Sequence, residues 1–375
     1  MIMELINDKM ALLDKICIGD FKIIEIDNLL GLQKTGIVTV IESQSRYVVL
    51  DTGEYFSKLQ IDKTEFFDSF IVGTGKGKRS SYGRMEMSIR DEEFHNLNCY
   101  TVVQYLEKIE EARIFLKAEY GISVDFSRAT FKSMEINKTI ILSDQFKRYY
   151  RPLTLMMCLF PLQLRLKNEV EWSNINHCSK NVREYKKEVS TYTRDSGDKG
   201  IMIKVYDKSR QLRVKFQICV YKEYLRFEIT LKSGEKIKKI FGDNLIRNIT
   251  DFKINMYFLE FIRKNVEIPY QKYCEGCKRE LKRILQKYYE PCSRTWTRDV
   301  LTEIREDEIK RNMPLMLDIN ELTSQIGCLK IKSKQNRHEI KKRFEDLCVN
   351  QDSIFCQGDD KKYEELIKKL LIYEL

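Results

Sequence analysis

The sequence predicts an α+β protein, with a mainly antiparallel sheet followed by a helical C-terminal region. Three observations predict it. Short segments of period-two alternation recur from about residue 35 to residue 231. Helical spacing interrupts them at only two places. After Phe241 the pattern turns helical and charge-rich to the end.

In order along the chain, "TGIVTVIES" and "RYVVLDTGEYF" read as a hairpin, and "YGRMEMSIR" as a further strand. The basic glycine loop "GTGKGKRSS" lies between them and carries Lys76, Lys78 and Arg79. It fails the P-loop spacing, and it reads equally as a surface turn or a phosphate-contacting loop. Asn98 caps a helix in which Val102, Leu106, Ile109 and Leu116 recur at helical spacing, and Gly121 stops it. The strand "TFKSMEINKTII" follows, with Met134 and Ile136 on one face and Ser133, Glu135 and Asn137 on the other. A second capped helix with a proline interruption starts in "SDQFKRYYRPLTLMMCLF", and "LQLRLKNEVEW" alternates again.

Two more strands come next. In "IKVYDKSRQL" and the residues just before it, Ile201, Ile203 and Val205 share one face, and Lys204, Tyr206 and Lys208 the other. In "YLRFEITLKS", Leu225, Phe227, Ile229 and Leu231 face the core, and Arg226, Glu228 and Thr230 face out. The segments "GDNLIRNITDFKINMYFLEFIRKN" and "CKRELKRILQKYYE" are helical. The change of character places a boundary between residues 1–255 and 256–375.

With 375 residues, 43% hydrophobic and 33% charged with both signs mixed, the chain is expected to be globular rather than disordered. The net charge of +10 suits a polyanionic partner such as nucleic acid. Eleven cysteines without a framework suit a reducing cytosol. "MIMELINDKMALLDK" does not read as a signal peptide, and "LTLMMCLFPLQLRL" is too short to span a bilayer, so no membrane role is expected.

If the three polar strand faces neighbour one another, Glu135 and Glu228 meet Tyr206. Two carboxylates with open water positions suit a hard cation such as Mg2+ or Mn2+. A phenol titrates near ~10 and needs help to attack at neutral pH. Lys204 and Lys208 would favour its phenolate and attract a phosphate, and the metal would polarise the phosphoryl oxygen. These parts describe tyrosine attack on a phosphodiester.

"IKVYDKSRQL" followed by "YLRFEITLKSGEKIKKIFG", with "FKSMEINKTI" upstream, resembles the filamentous-phage replication initiators of the gene II protein family. It is also similar to plasmid and conjugative-element initiators with IYDK and RFEI strands. The resemblance covers roughly residues 35–245. It implies a ferredoxin-like antiparallel sheet with helices on one face, of the rolling-circle nuclease type. The implied activity is metal-dependent nicking and joining at a replication origin through a 5′-phosphotyrosine, in the cytoplasm of a bacterial host. Implied partners are origin DNA, a host helicase and polymerase, and a second copy in a homodimer. Tyr206 carries over as nucleophile with Lys208 as its neighbour, and Glu135 and Glu228 as metal ligands. Lys204, Lys208 and Arg226 would offset phosphate charge. The match departs at "SMEIN", where the family's strand has Asp in an R-x-D setting. The histidine pair of many other rolling-circle enzymes is absent, since His95, His177 and His338 stand apart. Tyr192 ranks second as nucleophile, with packing or a DNA contact as its expected role. A non-catalytic DNA-binding regulator on the same scaffold is the alternative.

Cys274 and Cys277 form a CxxC without a second pair at zinc-ribbon spacing, so helical surface cysteines are expected rather than zinc ligands. "DINELTSQIG" and "SKQNRHEIKKRFEDL" read evenly as a helix-turn-helix or as a basic solvated helix. In the former reading Lys334, Arg337 and Lys341 contact DNA.

Overall fold

The computed structural model describes residues 9–41, 47–74, 81–88, 99–160, 165–166, 191–196, 200–287 and 357–373, with single positions at 303, 338, 339 and 342. The strands are β1 Leu12–Gly19, β2 Lys22–Ile26, β3 Val38–Thr39, β4 Val48–Val49, β5 Tyr55–Phe56, β6 Lys58–Ile61 and β7 Ser69–Thr74. There follow β8 Ser81–Ser88, β9 Ile122–Asp125, β10 Thr130–Leu142, β11 Arg165–Leu166, β12 Thr191–Asp195, β13 Ile201–Asp207 and β14 Glu223–Leu231. The helices are α1 Leu29–Lys34, α2 Val102–Tyr120, α3 Tyr150–Leu159, α4 Lys208–Lys215, α5 Gly234–Phe241, α6 Asp251–Ile262, α7 Ile268–Lys287 and α8 Gln357–Leu371.

Ten of these strands form one antiparallel sheet in the order β11-β12-β13-β14-β10-β1-β8-β7-β6-β3. The α+β class is as expected, and the alternation explains which face each side chain takes. Directly opposed residues share a face. Ile203, Val205, Phe227, Ile229, Met134 and Ile136 are all fully buried on one face. That face carries helices: Phe258 of α6 meets Phe227 edge-on at 5.9 Å. The opposite face presents Lys204, Tyr206, Arg226, Glu228, Glu135 and Asn137.

Three local expectations differ from what forms. "TGIVTVIES" does not pair with "RYVVL"; β3 pairs with β6, and the hairpin is β4 with β5 inside the second segment. The cap of α2 is Thr101, whose hydroxyl accepts from Gln104 N while the Gln104 side chain accepts from Thr101 N. This reciprocal pair satisfies two amides that a single Asn cap would not. Gly121 ends α2 as expected, at φ 63°, a left-handed conformation costly for residues with a Cβ. The proline interruption is a 3-10 turn, Phe146–Tyr149, running into α3. Pro152 falls in the first turn of α3, where a missing N–H costs no helix bond.

The expected boundary at residue 255 falls inside α6. The chain also returns to the sheet's apolar side at α8, where Tyr363, Leu366 and Leu370 are fully buried. Tyr363 stacks on Tyr270 of α7 at 3.8 Å between ring centroids. Lys138 of β10, almost wholly buried, donates to Leu370 O at 3.3 Å and to Ile372 O. A cation placed at the end of a helix suits its exposed carbonyls. Glu365 accepts from Ser143 N at 2.9 Å, Ser143 Oγ at 2.7 Å and Tyr149 Oη at 2.5 Å.

Burial opposes the charge on Glu365, but Lys369, Tyr149 and Ser143 hold its pKa down to about 2. A carboxyl depressed below its unfolded value of ~4.3 adds stability above that value and loses it as pH falls towards 2. Glu365→Gln is therefore expected to cost about 1–2 kcal/mol at pH 7. Thermal melts at several pH values should show the gap to wild type closing between pH ~4.3 and about 2.

No helix among the described residues is long and apolar enough to cross a membrane.

Candidate active site on the polar face of the sheet

Register assembles the site. Across β10 and β14, Glu135 opposes Thr230, Asn137 opposes Glu228, and Thr139 opposes Arg226. Across β13 and β14, Lys204 opposes Glu228, and Tyr206 opposes Arg226. The three strands from which sequence reasoning drew its candidates are thus neighbours, and Glu135, Glu228, Tyr206, Lys204 and Arg226 share one face.

A third carboxylate joins them. On β1, Leu13 pairs with Ile136 and Ile16 with Met134, so Asp14 and Lys15 together oppose Glu135. A bulge of this kind puts two consecutive side chains on the same side as the single opposing residue. Asp14, Glu135 and Glu228 each bring a carboxylate oxygen within 4.8 Å of the others. The sequence reading missed Asp14 because β1 shows no alternation. It runs through the middle of the sheet, and six of its eight residues are buried. The available signal was "ALLDKICIG", a buried-type apolar run broken by one acid–base pair.

Each acid has a distinct environment. Glu228, 3% exposed, accepts from Lys204 Nζ at 2.6 Å. Asp14 accepts from Arg226 Nη1 at 3.1 Å. Arg226 is wholly buried and also donates through Nε to Thr139 Oγ1 at 2.9 Å. It therefore orients Asp14 from beneath the face. Burial, and then the charge of Glu228, push Glu135 up to about 7. Burial works against the charge on Lys204, yet Glu228 beside it raises its pKa overall.

Lys204 and Lys208 both donate to partners other than Tyr206. Lys204 is committed to Glu228. Lys208 is the first residue of α4, and the Asp207 side chain caps that helix. It is 2% exposed and donates to Gln211 Oε1 at 2.7 Å. Burial and the charge of Arg226 bring Lys208 down to about 7. Burial raises Tyr206 well above the ordinary phenol value, with Arg226 opposing. The isolated protein thus holds Tyr206 as the neutral phenol.

Three carboxylates with no amide or thiol among them suit a hard cation. Mg2+ takes oxygens at about 2.1 Å, which places its ligand atoms up to ~4.2 Å apart, close to the spacing here. The repulsion that raises Glu135 is the repulsion a bound cation would relieve. The residues fit the group.

Other expected positions fall elsewhere. Tyr192 on β12 opposes Val205, so it lies on the helix-covered face. It is buried there and donates to Tyr150 O at 3.3 Å. Cys277 is buried in α7, and Cys274 is half-buried in the same helix. Burial lifts the Cys274 thiol to about 12, with Tyr270 opposing. Lys76, Lys78, Arg79, Lys334, Arg337 and Lys341 lie outside the described residues, as does the helix-turn-helix segment apart from His338, Glu339 and Lys342.

No family model and no curated protein matches the chain. Among solved structures it is similar to a rolling circle replication initiator protein from Geobacillus stearothermophilus. That likeness has 13% identity and a TM-score of 0.29, and it covers 61% of this chain and 76% of that one. So distant a likeness leaves the geometry of the site as the ground for any functional reading.

Proposed function

We propose that the protein initiates rolling-circle replication by nicking and rejoining one DNA strand at an origin. One observation supports this above all. Three carboxylates from adjacent strands converge within 4.8 Å on the polar face of the sheet, with Tyr206 one strand away on the same face. Asp14, Glu135 and Glu228 would hold Mg2+ or Mn2+. When bound, such an ion offsets phosphate charge and polarises the phosphoryl oxygens.

The chain's own residues do the rest. Tyr206 Oη forms a bond to phosphorus as the bond from phosphorus to the 3′ oxygen breaks. Lys208 Nζ, part neutral near pH 7, takes the phenol proton, and the departing 3′ oxygen takes one from water. The products are a 5′-phosphotyrosine and a 3′-OH from which a host polymerase extends while a host helicase unwinds. Reversal by a later 3′-OH joins the ends. Lys204 and Arg226 hold two of the acids in place.

A pool of random-sequence single-stranded oligonucleotides incubated with Mn2+ should yield an SDS-resistant adduct on the peptide that contains Tyr206. Asp14→Asn, Glu135→Gln and Glu228→Gln should each lower adduct formation by about 100-fold or more, since even outer-shell partners of a metal are worth 10–100-fold. Normal, metal-independent rates in all three variants would rule out the carboxylate site. DNA binding without any adduct would instead favour a regulator on this scaffold.

A further inference from the structure

Asn137 stands in the middle of the site and takes no part in the chemistry proposed for Tyr206 and the three acids. It is 2% exposed and opposes Glu228 across β10 and β14. Its Oδ1 accepts from the Cys99 thiol at 3.1 Å. With Oδ1 placed there, the thiol hydrogen has an amide oxygen as its acceptor. Nδ2 is thereby turned away from Cys99, and among the described residues it has no hydrogen-bond partner. An unpaired buried amide costs about 1–3 kcal/mol, so each one in a native protein calls for an explanation, a catalytic role or a bound ion among them.

The neighbourhood sharpens this. Asp14, Glu135 and Glu228 are acceptors only when ionised. Arg226 and Lys204 already donate to Asp14 and Glu228. Nδ2 is a donor only, so it cannot accept from a water on a cation, whose hydrogens point outward. A non-bridging phosphate oxygen, which only accepts, matches it. Thr230 Oγ1 is buried without a partner as well, but a hydroxyl both gives and takes and so does not discriminate. Topology places Asn137 suitably, since β13 and β10 flank β14. Tyr206 and Asn137 therefore stand on either side of Glu228 and Arg226, on one face.

We propose that Asn137 Nδ2 donates a hydrogen bond to a non-bridging oxygen of the scissile phosphate, on the side away from Tyr206. This assignment rests on the nicking reading. It is an uncharged donor held rigidly where charge develops on phosphorus, and removing one such donor lowers rates by about 10²–10³-fold.

The test compares wild type with Asn137→Leu, which keeps the branched shape and removes both polar atoms. Adduct formation on an oligonucleotide carrying the cleavage site should fall about 100-fold in single turnover. The melting temperature of the DNA-free variant should hold or rise, because an unpaired donor has gone. Wild type should also discriminate between the two phosphorothioate isomers at the scissile linkage, and Asn137→Leu should lose the part of that preference due to Nδ2. An unchanged rate would overturn the assignment. So would a rate that falls only in step with melting temperature while the isomer preference persists, the signature of a structural amide. Failure of wild type to form any adduct would instead bring down the nicking reading, and this assignment with it.

Discussion

Tyr206→Phe is expected to leave a folded protein that binds DNA and forms no covalent adduct. The change removes one oxygen and no charge. Lys204 still holds Glu228 and Arg226 still holds Asp14, so the acid cluster keeps its geometry. The ring still packs on β13. Removing a nucleophile costs far more than removing a group that only binds, on the order of 10⁴-fold or more. Quantifying the SDS-resistant adduct beside equilibrium binding of the same oligonucleotide separates the two effects. A Phe variant that forms the adduct at normal rates would move the nucleophile elsewhere. Tyr192 is poorly placed to replace it, being buried on the other face of the sheet against Tyr150.

Truncation after residue 356 should abolish folding. It removes Tyr363, Leu366 and Leu370, all fully buried, each contributing about 1.5–3 kcal/mol. It strands Lys138 inside the protein without the carbonyls of Leu370 and Ile372. It also takes Glu365 from Ser143 and Tyr149, and Asp359 from Arg151. The sum approaches or exceeds the ~5–15 kcal/mol that stabilises an ordinary domain. Circular dichroism melts should show no cooperative transition. A truncated protein that melts near the wild-type temperature would mean α8 is an appendage. A C-terminal truncation therefore cannot test whether the basic segment around Lys334 recognises duplex DNA. An internal excision of residues 318–350, with a glycine-serine linker and α8 retained, is the informative variant. It should keep adduct formation and reduce the salt dependence of duplex binding by ~0.9 for each phosphate that the excised segment neutralises.

Much of the site was legible because β10, β13 and β14 alternate cleanly. Period two fixed the faces of Glu135, Tyr206 and Glu228, and antiparallel neighbours then brought those faces together. Asp14 was not legible for the same reason inverted. β1 is buried on both sides, so no alternation marks it, and its acid reaches the site through a bulge that depends on pairing with β10. The pairing of β3 with β6 was hidden because two-residue strands carry almost no pattern. The docking of α8 was hidden because Lys138 and Glu365 read as surface charges until their partners, 232 and 222 residues away, are known. The effect of Lys208 was misjudged because burial, which sequence does not report, outweighs its formal charge.

The closure of β10 by α8 also bears on when the protein becomes active during its synthesis. The strands carrying Asp14, Glu135, Tyr206 and Glu228 all leave the ribosome well before residues 357–372. Until those residues emerge, Lys138 has no helix end to meet, and the apolar side of the sheet lacks Tyr363, Leu366 and Leu370. Pairings of such long sequence separation form late, because the intervening chain must be closed first. A nascent chain therefore carries every candidate group of the proposed site on an unfinished sheet until α8 has emerged and docked.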